Sequence, residues 1–113
     1  MDEKWKIIYY TSHSGHNPVK EFLDKYPKAK LKALRILSNI EEYGISFAIP
    51  HIKKLTGTPL WEIRILGEDN IRILYVTKQE KRVILLHAFV KKTDQTPRKE
   101  IDISLVRLSE IGS

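Results

Sequence analysis

The chain has 113 residues, 42% hydrophobic and 30% charged, with five glycines and five prolines, a balance that excludes disordered and fibrous classes and suits one domain over 1–113 with a core of modest size. The absence of cysteine excludes disulfides, thiolate zinc sites and thiol nucleophiles. The net charge is +6, with eight basic against six acidic residues up to Pro50 and twelve against eight after it, so a nucleic acid, an anionic membrane surface or an acidic protein suits it as a partner. No apolar run approaches the roughly 20 residues of a membrane span, and the start "MDEKWKIIYY" is acidic where a secretion signal would be basic. The expectation is a cytoplasmic protein with no membrane attachment.

"WKIIYYT", Trp5 to Thr11, is rich in β-branched and aromatic residues and runs into the polar "SHSGHN", which predicts a strand followed by a loop. Asn17 is placed to cap a helix with Pro18 in its first turn, and Val19, Phe22, Leu23 and Tyr26 share one face before Pro27. A second helix over 28–43 would bury Leu31, Leu34, Ile36, Leu37, Ile40 and Tyr43, with Gly44 as its cap. The period then changes. "LWEIRIL" and "IRILYVT" alternate around the turn "GEDN", predicting a hairpin, and "RVILLHAFV" is apolar on both faces, predicting an interior strand after the turn "KQEK". Thr96 and Pro97 open a last helix with Ile101, Leu105 and Leu108 on one face, although "IDIS" also alternates like a strand. The order is β-α-α-β-β-β-α: an α+β fold with an antiparallel meander, a helical hairpin packed on one face, and a C-terminal helix. The other face is expected to be an open platform.

The sequence contains no glycine-rich phosphate loop, no helically spaced metal histidines and no Gly-x-Ser-x-Gly elbow, so neither metal nor cofactor is expected. What remains is a set of cations on strands. Alternation alone puts Arg64 and Arg72 on the solvent face of a sheet. Together with Lys91 and Lys92 at the next strand's end they would converge on a polyanion, and Phe89 beside them offers a ring on which a base can stack. Lys53 and Lys54 either extend that patch or are ordinary loop charges. His87, inside a strand, is by type more often structural than catalytic.

The strings "KKLTGTPLWEIRI", "IRILYV" and "VILLHAFVKKTDQTPRKEI" together resemble the RelE/HigB superfamily of bacterial and phage toxins, in its phage-derived HigB-like branch. The resemblance is close from Ile52 to Ile101 and reaches upstream only as a pattern of strand and helical hairpin. It implies a RelE-like fold and a ribosome-dependent mRNA endonuclease, the toxin of a type II toxin–antitoxin system. The implied partners are a helix-turn-helix, HigA-like antitoxin in an oligomeric complex, and the ribosome with its mRNA. It places Arg64, Arg72, Lys91 and Lys92 in the cleavage site, with Phe89 near the substrate base; Lys53, Lys54 and His87 complete the expected RNA-binding set beside Phe89. The terminal segment "IDISLVRLSEIGS" is less charged and less helix-prone than that family usually shows.

The implied reaction needs neither metal nor cofactor. The RNA 2′-hydroxyl attacks the adjacent phosphate, leaving a 2′,3′-cyclic phosphate and a 5′-hydroxyl, while arginines hold the developing charge. A lysine serves as base only where neighbouring cations depress its pKa, and His87 is the alternative acid or base. Two other readings remain at this level: a ParE-like gyrase inhibitor and a non-catalytic RNA-binding module.

Overall fold

A computed structural model describes residues 4–112; Met1 to Glu3 and Ser113, which the 1–113 domain expectation includes, lie outside the described residues. The chain order is β1 (Lys6–Tyr9), α1 (Pro18–Asp24), α2 (Pro27–Tyr43), a 3-10 segment (Ile45–His51), β2 (Ile52–Lys54), β3 (Trp61–Ile65), β4 (Ile71–Lys78), β5 (Arg82–Val90) and α3 (Arg98–Ile111). The fold is α+β, built on one five-stranded sheet in the order β1-β5-β4-β3-β2.

The sheet is mixed, which corrects the expected antiparallel meander. Strands β2 to β5 do meander, but β1 pairs parallel with β5, Lys6 opposite Arg82 and Tyr9 opposite Leu85. The two helices carry the chain from one edge of the sheet to the other, and the meander returns with β5 running in the direction of β1. The short strand β2 and the 3-10 segment before it were not anticipated; three residues are too few to show a period.

Local chemistry sets the helix boundaries. Asn17 accepts the Lys20 N–H at 3.1 Å as the cap of α1, and Glu21 accepts the Asn17 N–H at 3.2 Å. Pro27 does not merely end α1 but opens α2, because it keeps Tyr26 out of the helical conformation (φ −131°, ψ 75°) and has no N–H that the first turn would leave unpaired. At Gly44 the backbone takes φ 95°, and a Cβ there would lie 3.1 Å from the Trp5 indole nitrogen, so both the turn and the packing require glycine.

Helix α2 buries Ala29, Ala33, Leu37 and Ile40, with Ile36 partly covered. Leu31, Leu34 and Tyr43, expected inside, are exposed, Leu31 at 66% and Tyr43 at 64%. The apolar residues of α2 spread wider than one stripe, and the sheet selects the side whose alanines allow the closest approach. There α1 and α2 pack on Ile63, Ile65, Ile71, Ile73, Tyr75, Val83 and Leu85.

The opposite sheet face is not the open platform expected. Leu60, Leu74, Val76, Ile84, Leu86 and Phe89 form a second core against Ile101, Leu105 and Leu108 of α3, so α3 is a full helix and settles the ambiguity of "IDIS". Tyr10, just past β1, donates its hydroxyl to Glu110 and lies under Arg107, 5.4 Å from ring centroid to guanidinium. A β-bulge lets Leu86 and His87 both project toward α3, since Tyr75 faces Leu85 while Leu74 faces His87. None of the described helices is long and apolar enough to cross a membrane.

Candidate functional site

Register brings the strand cations into one row. Arg64 on β3 stands opposite Arg72 on β4, and Arg72 opposite Phe89 on β5, which puts all three on the α3 side of the sheet. Arg72 is buried; its Nη1 donates to Asn70 Oδ1 at 2.9 Å and to the Ile71 carbonyl at 3.2 Å. Burial lowers its pKa from the usual guanidinium value, Glu62 opposes that shift and the neighbouring Arg64 adds to it. An arginine starts so high that it remains charged.

The residue that organises the row is Glu62, which lies within the string "KKLTGTPLWEIRI" but was assigned no role there. Its carboxylate is fully buried. Oε2 accepts from the Thr96 hydroxyl at 2.5 Å, while Oε1 lies 3.3 Å from Arg72 Nε and 3.5 Å from Lys91 Nζ. Oε1 and Arg72 Nε have no aligned hydrogen-bond partner, so these two contacts are charge pairs rather than directed bonds. Asn70 completes the frame: in a left-handed conformation (φ 53°) its Nδ2 donates to the Lys91 carbonyl at 2.9 Å and its own carbonyl accepts the Lys91 N–H at 3.0 Å. Strand β5 ends in two lysines because the first is tied back to the β3–β4 turn and to Glu62, leaving Lys92 exposed. The signal for Glu62 was its place two residues before Arg64, on the same strand face.

Arg64 is less committed. Among the described residues its single hydrogen bond runs from Nη2 to the Pro50 carbonyl at 3.3 Å, and its Nε is buried without an acceptor. Lys53 and Lys54 lie on β2 rather than in a loop, and they part company: Lys53 pairs with Glu62 and shares its face, whereas Lys54 pairs with Trp61, sits 5.7 Å over that ring and donates to the Thr58 carbonyl. Phe89 is 4% exposed, so the ring offered for base stacking is in the core here, its centroid 5.7 Å from that of His87. Lys92 lines a groove with His87, Phe89 and Lys99 between β5 and α3.

His87 is held from both sides by α3, through residues that the sequence reading did not name. Arg107 Nη1 donates to the Leu86 carbonyl at 2.9 Å and lies 3.1 Å from His87 Nδ1; Glu100 Oε1 lies 2.7 Å from Nε2. Guanidinium only donates, so Nδ1 accepts and Nε2 carries the proton given to Glu100. Burial pushes the imidazole pKa below its ordinary value; the Glu100 bond opposes this, and Arg107 and Lys99 reinforce it. The unfolded chain therefore takes up this proton at a higher pH than the folded one. His87's contribution to stability is complete above about pH 6.5 and is lost as the pH falls toward the lower folded value. In urea titrations, the midpoint of the wild type should fall more between about pH 7.5 and 5 than that of His87→Gln. Equal slopes would mean that His87 titrates as it does in the unfolded chain.

Among the described residues no group of three or more His, Asp or Glu side chains could hold a metal ion. Arg64 and Arg72 stand opposite each other in the row, with Glu62 and Asn70 fixing Arg72, whereas Lys92 lines the groove between β5 and α3. No curated protein matches the chain. The family described as phage derived protein Gp49-like (DUF891) does match, over residues 20–109, a span that takes in most of α1 and all of α2 as well as the Ile52 to Ile101 segment. With a match over that much of its length, the chain belongs to the phage-derived Gp49-like family, a RelE/toxin-like family associated with toxin–antitoxin systems.

Proposed function

We propose that this protein is the toxin of a type II toxin–antitoxin system, in the HigB-like branch, and that it cleaves mRNA on the ribosome in the cytoplasm. The observation that carries this reading is the cross-strand row Arg64–Arg72, extended by Lys91 and clamped by the buried Glu62. Arg72, held by Asn70 and Glu62, is preorganised to meet charge developing on a phosphate, which is where such donors contribute most. Arg64, with donors to spare, is suited to fork onto the same phosphate.

The attacking group is the RNA's own 2′-hydroxyl, so the protein supplies charge stabilisation and proton transfer. His87 is a poor base, since its Nδ1 already accepts from Arg107 and its Nε2 proton goes to Glu100. A lysine at the strand end remains the candidate, and dependence on the ribosome fits a site with so modest an acid–base set: the ribosome would hold the strand in line for attack. A helix-turn-helix antitoxin would neutralise the toxin in an oligomeric complex.

The test is to add the protein to translating ribosomes and map new 5′ ends, beside a gyrase supercoiling assay. Cuts in the decoding site bearing a 5′-hydroxyl support the reading. Inhibited supercoiling without cuts would reassign the chain to a ParE-like toxin, and neither effect would leave a non-catalytic RNA-binding module.

A further inference from the structure

Strand β2 stops pairing with β3 at Ile63, opposite Ile52, which leaves Arg64 and Ile65 on a free edge. Beside that edge lies a groove of about 310 Å³ between α2 and β3. Its walls carry Lys32, Arg35 and Asn39 from α2, His51 from the end of the 3-10 segment, and Arg64. No acidic side chain lines it. Lys32 donates to the Leu66 carbonyl at 2.7 Å and Arg64 to that of Pro50. The side chains of Arg35, Asn39 and His51 have no hydrogen bond or ion pair among the described residues. Three separate elements thus bring polar side chains to one trough: Arg35 and Asn39 from α2, His51 from the 3-10 segment and Arg64 from β3.

We propose that this groove holds the phosphodiester backbone of a single RNA strand, on the side of the cleaved phosphate that leads away from Arg72. The choice of RNA rests on the endonuclease reading; the groove's demand for a polyanion rests on its own donors. Arg64 joins the two regions, since it stands opposite Arg72 across the strands and also lines the groove. Arg35 and Lys32 then take successive phosphates, and Asn39 and His51 offer hydrogen-bond partners for ribose hydroxyls. Ile36, Ile65 and Leu66 supply an apolar wall against which a sugar or base face can rest.

The test is fluorescence anisotropy with a labelled poly-uridine oligoribonucleotide over a series of salt concentrations. Each phosphate contact on a single strand contributes about 0.7 to the slope of log affinity against log salt, so Lys32→Ala/Arg35→Ala should lower that slope by about 1.4. Arg35→Lys, which keeps the charge, should stay near the wild type. The control Lys25→Ala/Lys78→Ala, outside the groove, should leave the slope unchanged, and circular dichroism checks the fold of each variant. An unaltered slope in the groove variant, an equal loss in the control, or no binding by the wild type would each overturn the proposal. So would a polyglutamate of matched charge that displaces the RNA at equal concentration, since the groove would then suit an acidic protein segment. No cleavage is read in this assay, so a wild type that cuts on ribosomes while the groove variant binds normally would sink the groove alone.

Discussion

Arg64→Ala is expected to lower single-turnover cleavage on excess ribosomes by roughly 10²–10³-fold, the loss typical of one preorganised donor, with little change in ribosome binding. Arg64 is the cleaner probe of the two arginines. It is only partly buried and gives up a single long hydrogen bond to Pro50, so the variant should unfold at nearly the wild-type urea concentration. Arg72→Ala should lose cleavage to a similar degree but also stability, because it deprives the buried Glu62 carboxylate of one of its two cations. Lys53→Ala and Lys54→Ala bear on attraction of the RNA, and their cleavage rate on saturated ribosomes should stay near the wild type. If folded Arg64→Ala and Arg72→Ala both cleave at the wild-type rate, the row is not the cleavage site and the arginines are ordinary sheet residues.

The largest effect on stability should come from Glu62→Ala, at about 3–5 kcal/mol, the range found when one partner of a buried ion pair is removed. The reason is the arrangement around a carboxylate that is fully buried. Without it, Arg72 and Lys91 are left as two enclosed like charges, and the Thr96 hydroxyl, which holds the start of α3 against β3, loses its acceptor. Glu62→Gln keeps the shape and one acceptor oxygen, so it should recover part of the stability while leaving Arg72 less firmly aimed. Cleavage by folded Glu62→Gln should therefore fall although the residue touches no substrate. Urea unfolding of both variants, with single-turnover rates below their transitions, checks this. A Glu62→Ala protein as stable as the wild type would show that the clamp contributes nothing.

The sequence by itself determined the elements whose signal is local. The cap at Asn17, the helix start at Pro18, the glycine at 44, the alternation through Trp61 and Tyr75 and the doubly apolar run to Val90 each depend on neighbours within a few residues, and each reappears in the fold. The cations Arg64 and Arg72 were legible for the same reason. Only the tertiary structure decided what those elements meet. The burial of Ala29 and Ala33 in place of Leu31 and Leu34 was settled by how closely the sheet approaches α2. The parallel partner of β1 lies more than seventy residues away in β5. The closing of the second sheet face by α3 put Phe89 into a core instead of on a platform. Glu62 is the clearest case, since a glutamate between Trp61 and Ile63 looks like any solvent-face residue of a strand. It becomes a buried hub because Arg72, Lys91 and Thr96 arrive from three later segments, and long-range electrostatic compensation of that kind leaves no periodic trace in a local window.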